Sequence, residues 1–147
     1  MNAWLKRWRF LIFVLGLATA LRVTLLFFRG TLWFDEIFSI HFSSLPWAEA
    51  WRYWTLETNP PLYLLFMRFY LMLGDPANPF FTRLPALVFG LLGVVAVYHL
   101  GQMMFSKKAG LFAIFLLALS GIHIFTSSET RAYTLFTLLA ILSSYFF

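Results

Sequence analysis

Four long apolar runs constrain this chain more than any other feature of its sequence. They occupy residues 10–28, 84–105, 109–126 and 132–147. A helix needs about 20 apolar residues to cross the hydrocarbon core of a bilayer, with a range of roughly 17 to 25. The first three runs satisfy this length, and the fourth is cut short by the end of the sequence. The runs therefore predict an all-α, polytopic integral membrane protein with about four transmembrane helices.

Two details of these runs leave alternatives open. The sequence ends inside the fourth run, after "SSYFF", which is typical of a fragment, so we expect the native chain to continue. The first run has a basic start and an "ATA" at residues 18–20, which also fits a cleavable signal peptide. Apolar character resumes at residues 23–28 and further runs follow. An uncleaved first span is therefore the favoured interpretation.

Composition and charge exclude several functional classes. Only 12% of the 147 residues are charged and 61% are hydrophobic, whereas a soluble domain carries about 25% charge. The net charge of +5 comes from small basic groups beside the apolar runs, as expected of membrane topology signals. There is no RNA-binding motif or long basic tract, so we predict no nucleic-acid partner. The absence of cysteine excludes disulfides and thiolate metal sites.

Two shorter segments between the first and second runs are predicted to be helices lying in the membrane interface. The segment at residues 45–56 places several tryptophans on one face, which is typical of an interfacial belt. The segment at residues 60–74 is too short to span and is interrupted by Arg68. Its predicted apolar face consists of Leu62, Leu65, Phe66, Phe69 and Leu73. Both helices belong to a predicted outer loop at residues 29–83.

The basic residues predict the orientation of the spans. Lys6, Arg7 and Arg9 place the N-terminus in the cytoplasm by the positive-inside rule. If residues 60–74 do not cross, Lys107 and Lys108 also lie in the cytoplasm. The acidic residues then gather on the outer side of the membrane.

Asp35 and Glu36 are the first candidate functional residues, because they stand side by side where the first span ends. Ionisable groups near a bilayer tend to be solvated, paired or functional. On an irregular turn, one carboxylate could act as a general base while the other binds a cation or an arginine. The alternative is a solvated loop that begins with two acids.

A second candidate cluster, Glu129 and Arg131 beside Tyr133, lies between the third and fourth runs. Arginine suits phosphate because its planar donors match two phosphate oxygens. A carboxylate two residues away could orient that arginine or ligate a metal. The alternative is a surface ion pair that caps the fourth run.

Four stretches in order resemble the GT-C glycosyltransferases. They are "LWFDE", "NPPLYLLFMRFYLMLG", "RLPALVFGLLGVVAVYHLGQMMFSKKAGLFAIFLLALS" and "SSETRAY". The resemblance is to the family 39 and RgtA/B-like branch, the relatives of protein O-mannosyltransferases and of lipid A aminoarabinose transferase. It runs from about residue 22 onward. It implies that residues 1–147 are the N-terminal part of a GT-C catalytic module in a bacterial or archaeal plasma membrane.

The resemblance also implies a reaction and residue roles. The donor is a sugar on a polyprenyl phosphate, and transfer to a hydroxyl or amine on the outer face inverts the anomeric centre. Asp35 is then the base, with Glu36 supporting it or binding the acceptor. Arg131 holds the donor phosphate, with Glu129 nearby. A divalent metal, Mg²⁺ or Mn²⁺, remains open, because only Asp35, Glu36 and Glu129 are available as ligands.

Two lower-ranked residues complete the predicted cleft. Asn59 stands where many relatives have histidine, so it can hydrogen-bond a hydroxyl but cannot titrate near neutral pH. His41 follows the acidic pair and could face the acceptor. Tyr133 is grouped with the donor-phosphate residues. Among the remaining basic residues, we expect Arg22 to extend to the outer interface, with contact to the substrate phosphate as the alternative. Arg83 and Arg68 are expected to be interfacial anchors, and either could instead contact a lipid phosphate.

Two other functions compete with the transferase. A non-catalytic membrane fragment or scaffold fits a chain that ends at Phe147. A transporter subunit would more often have broken helices and ionisable groups in mid-membrane. Here the acids lie at the ends of the runs, which favours the transferase. The sugar, the acceptor and the oligomeric state remain open.

Overall fold

The computed structural model describes residues 3–56 and 61–147, and this part of the chain is entirely helical, without strands. The helices are α1 (Ala3–Phe28), α2 (Phe34–Ser44), α3 (Trp47–Leu56), α4 (Pro61–Leu71), α5 (Pro79–Met104), α6 (Lys107–Leu119), α7 (Gly121–Thr126) and α8 (Tyr133–Phe146). The all-α prediction is confirmed. Within the described residues, two helices are long and apolar enough to cross a membrane, α1 over Arg7–Phe28 and α5 over Pro79–Met104. The total number of spans stays a prediction.

Helices α1, α5 and α6 form the main core. Their buried residues are Leu11, Val14, Ala18, Val94, Tyr98, Ile114 and Ala118. The two long helices are antiparallel, since the rings of Phe27 and Phe80 are 5.4 Å apart while the other ends meet near Trp8 and Tyr98. Helix α5 also packs along α8. The short helices α2, α3 and α4 pack together beside the start of α5.

This arrangement places three acids at one end of the bundle and the lysines at the start of α6 at the other. The turn after α1, the start of α2 and the loop before α8 meet, and they bring Asp35, Glu36 and Glu129 to one end of the bundle. We call this the acidic end. Arg7 and the α5–α6 turn, which precedes Lys107 and Lys108, lie at the opposite end, which we call the basic end. This is the separation that the non-crossing interpretation of residues 60–74 requires, whereas the orientation in the membrane stays a prediction.

The predicted third span is broken at Ser120. Extended backbone at Ser120 separates α6 from α7, and the Ser120 hydroxyl accepts a hydrogen bond from His123 N at 3.4 Å. A helix end leaves carbonyl groups unpaired, which is costly where water is excluded. Arg22 satisfies one of them by donating to the oxygen of Ala118 at 3.2 Å. It also donates to the oxygen of Leu117 at 3.2 Å, which accepts from Ser120 N as well. The break is therefore stabilised from the neighbouring helix α1.

Arg22 is fully buried, so the expectation that it extends to the interface is wrong. Its guanidinium also lies 2.8 Å from His123 Nδ1 and 3.3 Å from the hydroxyl of Ser127. A buried arginine is stable when its donors are paired and hydrogen-bonded. The carbonyl groups freed by the helix break supply acceptors for this side chain, which removes the need to reach water.

Pro85 lies inside α5 and removes one backbone hydrogen bond. The carbonyl that loses its partner belongs to Phe81, four residues earlier. The hydroxyl of Tyr70 donates to this oxygen at 2.9 Å, and the two rings stack at 4.5 Å. The proline thus ties α4 to the first turns of α5, which carry Arg83.

The apolar stripe predicted on α4 faces away from the protein. Tyr63, Leu64, Met67 and Leu71 are the buried residues of this helix, and they contact α2, α3 and the start of α8. The predicted stripe is exposed at four positions, Leu62, Phe66, Phe69 and Leu73. Large exposed apolar side chains also cover α1, including Ile12, Phe13 and Phe27. An apolar exterior of this extent is typical of a protein that faces lipid.

Helix α2 is a correction to the predicted irregular turn. Asp35 and Glu36 form its first turn, where the helix dipole favours negative charge. Glu36 also accepts a hydrogen bond from Trp33 N at 3.2 Å, which satisfies a backbone donor at the helix start. Because successive helical residues point about 100° apart, the two carboxylates face different surroundings.

Gly110 is expected to be essential for the close approach of α5 and α6. A Cβ at this position would lie 2.6 Å from the backbone oxygen of Tyr98 and 2.9 Å from Gln102 Cγ. Because backbone atoms cannot move aside, Gly110→Ala should destabilise the full chain by about 1–3 kcal/mol, as overpacking does. Thermal unfolding in detergent, followed by tryptophan fluorescence, measures the effect.

Gly16→Ala is the matched control, since a Cβ on Gly16 meets nothing within 4 Å. That change should be neutral or slightly stabilising, because alanine is the better helix former. Equal melting temperatures for the Gly110 variant and the control would contradict a close contact at Gly110.

Candidate active site

Glu36 is a fully buried carboxylate at the acidic end and accepts four hydrogen bonds. Arg83 donates twice, from Nε to Oε1 at 2.8 Å and from Nη2 to Oε2 at 2.7 Å. The backbone N–H of Thr130 donates to Oε1 at 2.9 Å, and that of Trp33 donates to Oε2. A carboxylate has about four acceptor positions, so this one is saturated. The arrangement favours a supporting role for Glu36 over proton transfer.

Arg83 extends the same network to the turn that follows α1. It donates to the carbonyl oxygens of Gly30 and Thr31, both at 3.0 Å. Gly30 has φ +62°, a left-handed conformation that glycine adopts without strain. The Glu36–Arg83 pair therefore joins four segments: this turn, the start of α2, the start of α5 and the loop before α8. Arg83 is 1% exposed, so the expectation that it is an interfacial anchor is wrong.

The surroundings of Glu36 lower its pKa. Burial alone would raise the pKa of this carboxyl, since the charged form loses its hydration. The hydrogen bonds from Arg83, Thr130 and Trp33 and the charge of Arg83 outweigh that penalty and hold the pKa below its ordinary value. Glu36 is thus a fixed negative charge, which explains how it can retain a buried arginine.

Asp35 lies in a contrasting environment, although it is the adjacent residue. Its side chain is 37% exposed, and its carboxylate forms no hydrogen bond within the described residues. Its nearest charged group is Arg131, whose Nη1 lies 3.8 Å from Oδ2. The backbone of Asp35 is fixed, because its carbonyl accepts from Ser39 Oγ at 3.0 Å. This is an accessible carboxylate on a rigid helix turn, which is the arrangement that a general base requires.

Arg131 lies beside Asp35. Its side chain is 13% exposed, and it donates to the Asp35 carbonyl and to the Tyr133 hydroxyl, each at 3.4 Å. Its guanidinium also lies 5.5 Å from the centre of the Tyr133 ring. The contact with the Asp35 carboxylate is loose, so an incoming anion such as phosphate could compete for this guanidinium.

Glu129 is paired with an arginine that the sequence analysis did not single out. The carboxylate is 2% exposed, and Arg29 Nη2 lies 3.1 Å from Oε1. Arg29 also donates to the hydroxyl of Ser128 at 3.3 Å and covers the ring of Phe125 at 4.2 Å. Glu129 therefore connects the end of α1 with the loop before α8. Glu129 lies two residues before Arg131 in the chain, but unlike Arg131 it is fully buried.

The acids nominated as metal ligands do not gather into a metal site within the described residues. Of the three acids nominated as ligands, Glu36 and Glu129 are each bound to an arginine, which leaves Asp35 alone. No group of three or more histidine, aspartate or glutamate side chains suitable for a metal ion occurs in the part of the chain that the structure describes. Mg²⁺ and Mn²⁺ prefer several oxygen ligands, so no step is assigned to a metal.

The remaining predicted residues have different outcomes. Asn59 lies outside the described residues, so its predicted role is not tested. His41 is an exposed residue of α2, with its ring 5.3 Å from that of Phe42. Tyr133 is exposed at the start of α8, where it contacts Arg131. Arg68, expected as an anchor, donates to the carbonyl oxygens of Ser43 and Leu45 instead, and so caps the end of α2.

A buried tyrosine lies close to these charges. Tyr63 of α4 is 1% exposed, and its hydroxyl has no hydrogen-bond partner within the described ranges. Burial, followed by the charge of Glu36, raises its pKa, although Arg131 opposes this effect. Tyr63 therefore stays protonated and contributes a neutral donor near Glu36 and Arg131.

The sequence matches one known protein family. The model of the family described as dolichyl-phosphate-mannose-protein mannosyltransferase matches residues 58–147, which is more than half of the chain. The matched part contains Arg83, Glu129 and Arg131, whereas Asp35 and Glu36 precede it. No curated protein and no solved structure matches the sequence.

Proposed function

The chain belongs to the dolichyl-phosphate-mannose-protein mannosyltransferase family, and hence to the GT-C glycosyltransferases, and from this premise we propose that it transfers a sugar from a polyprenyl-phosphate donor. The acceptor in this proposal is a hydroxyl or amine, and the reaction takes place on the extracytoplasmic side of the membrane. Membership and the apolar helices support a membrane glycosyltransferase in general. The donor, the side of the membrane and the mechanism are the proposal.

One observation carries the proposal: a partly exposed carboxylate and an arginine lie side by side at one end of the bundle. Asp35 Oδ2 and Arg131 Nη1 are 3.8 Å apart, and both side chains retain some exposure. A base and a phosphate-binding cation at this separation are what the transfer reaction needs. At the acidic end, a lipid donor could keep its tail beside the apolar exterior while its phosphate reaches Arg131.

In the proposed reaction, Asp35 accepts the proton of the acceptor hydroxyl or amine. The freed oxygen or nitrogen attacks the anomeric carbon from the side opposite the phosphate, so the configuration inverts. The bond between that carbon and the phosphate oxygen breaks, and polyprenyl phosphate leaves. Negative charge grows on the leaving phosphate, where Arg131 stabilises it.

Glu36 and Arg83 have a positioning role in this mechanism. Glu36 shares the first turn of α2 with Asp35, and it also binds Thr130 N, next to Arg131 in the chain. The pair therefore sets the distance between the base and the cation. Precise placement of this kind contributes to catalysis because reacting groups are held in near-attack geometry.

A donor-consumption assay tests the function. The full native chain is reconstituted in liposomes with tritium-labelled dolichyl-phosphate mannose or other polyprenyl-phosphate sugars, together with a mixture of lipid and peptide acceptors. We expect label to leave the lipid donor and free polyprenyl phosphate to accumulate. A nucleotide sugar with the same label is the control and should not be consumed. Consumption of the nucleotide sugar, or of no lipid-linked sugar at all, would contradict the proposal.

A further inference from the structure

A second candidate site lies at the basic end, far from Asp35 and Arg131. A groove of about 380 Å³ runs between α1 and α5, over the buried side chain of Ile114 of α6. Its walls are apolar toward the middle of the bundle, where Leu15 and Val95 line it. Because α1 and α5 are antiparallel, its polar residues gather at the other end, namely Arg7, His99 and Gln102. The groove therefore has one apolar part and one polar mouth.

A neighbouring groove shares part of this wall. It lies between α5 and α8, has a volume of about 470 Å³, and is lined by Leu92, Leu138 and Leu142 among others. Val95 and His99 line both grooves. These two residues thus form a ridge on α5 with an apolar groove on each side. Two extended apolar chains joined at one polar group would fit this shape.

The positive charge at the mouth of the groove indicates that its ligand is negatively charged. The Nε atom of Arg7 is buried and has no hydrogen-bond partner among the described residues. Lys107 and Lys108 begin α6 at the same end. The five acids of the described chain lie elsewhere, in α2, in α3, in the turn before α5 and in the loop before α8. An unpaired buried donor of positive charge is costly until an anion binds it.

We propose that the basic end binds one two-chain anionic phospholipid. Its phosphate accepts hydrogen bonds from Arg7 and Gln102 beside His99, and its acyl chains lie in the two grooves on either side of Val95. Basic pockets between membrane helices recognise anionic headgroups in this way. The site is independent of the proposed transfer reaction, because no residue of the acidic end takes part.

Native mass spectrometry of the full native chain tests this site. The protein is released from nanodiscs that contain equal amounts of phosphatidylglycerol and phosphatidylcholine. We expect one phosphatidylglycerol to be retained in preference to phosphatidylcholine. Arg7→Gln should lower that retention about tenfold, since a charge-assisted hydrogen bond is lost. Val95→Phe, which narrows both grooves, should also lower the retention of phosphatidylglycerol, although Arg7 is still present in this variant.

Arg9→Gln is the matched control. It removes the same charge two residues away from a side chain that does not line the groove. Retention by this variant should equal that of the unmodified protein, which separates a defined site from general attraction to the bilayer. Equal losses in the Arg7 and Arg9 variants, equal retention of the two lipids, or no retained lipid would each overturn the proposal. If no lipid is retained, the groove is covered by protein and not by lipid.

Discussion

Replacing Asp35 with asparagine is expected to lower the rate of sugar transfer by about 10² to 10⁴, because a general base contributes on that order. Asparagine has nearly the same shape but cannot accept the proton of the acceptor. The fold should be unaffected, since the Asp35 carboxylate forms only a loose contact, 3.8 Å from Arg131, and is 37% exposed. Partly exposed ion pairs of this kind contribute little to stability. The assay is donor consumption, with the melting temperature of the same preparation measured alongside.

Glu49→Gln is the control for this experiment. It removes one negative charge from an exposed position on α3, and we expect it to retain full activity and stability. Full activity of Asp35→Asn would reject Asp35 as the base while leaving membership of the family intact. Loss of activity together with a lowered melting temperature would show that Asp35 acts through the fold instead.

The sequence predicted the helical class because apolar runs report directly on burial in lipid. It also predicted that Asp35, Glu129 and Arg131 would come together, from the order of the spans and the distribution of charge. The structure confirms the all-helical fold. It brings the segments that carry these residues to one end of the bundle. The roles of these residues stay predictions.

The contacts between distant segments could not be predicted in the same way. The sequence predicts Arg83 as an interfacial anchor and gives no role to Arg29, since one sequence does not show which carboxylate each arginine meets across the fold. The burial of Arg22 could not be predicted for a related reason. One of its acceptors, the oxygen of Ala118, becomes available only because α6 ends at Leu119. Ser120 gave a weak signal for that end, as serine favours helix N-caps.

The break at Ser120 and the buried Arg22 also bear on the transporter alternative. Broken helices and ionisable groups within the membrane are features that transporters share. Here the guanidinium is satisfied by Leu117, Ala118, His123 and other groups of the same bundle, so it is a structural element of the break. The family match supports the glycosyltransferase, and no described feature favours transport over it.

The start of helix α2 carries a local sequence signal. The position of Asp35 and Glu36 after a span favours an irregular turn. Acidic residues in a first turn are themselves a signal for a helix start. The helix matters for function, because its first turn holds Asp35 at the partly exposed surface and Glu36 in the interior, whereas a flexible turn would allow them to exchange places.

Replacing Glu36 with glutamine is expected to lower stability first and activity only as a consequence, whereas the Asp35 change lowers activity and leaves stability intact. The variant leaves Arg83 buried without its counter-charge, and it places an amide where the guanidinium and two backbone N–H groups now donate. Breaking one partner of a buried pair costs about 3–5 kcal/mol. We therefore expect a large fall in the stability of the full chain in detergent, and reduced activity that follows from it.

The same stability should depend on pH. The folded-state pKa of Glu36 is lowered, so its contribution is fully present above the pKa of an unfolded glutamate, about 4.3. As the pH falls through the lower folded-state pKa, the folded carboxylate is protonated and the contribution is lost. The difference in melting temperature between the unmodified protein and Glu36→Gln should thus shrink in acid. A difference that stays constant in acid would contradict a charged Glu36 in the folded protein.

The double variant Glu36→Leu with Arg83→Met separates two contributions to stability. One comes from the ion pair itself, and the other from the backbone hydrogen bonds that the two side chains make. Removing both charges should cost less than the sum of the single changes, because neither leaves the other uncompensated. It should still be destabilising, since the N–H groups of Thr130 and Trp33 and the carbonyl groups of Gly30 and Thr31 lose their partners. Strict additivity would mean that the pair does not act as a unit.

If Glu36→Gln instead abolishes transfer without lowering stability, Glu36 takes part in the chemistry and its role as the support for Asp35 is wrong.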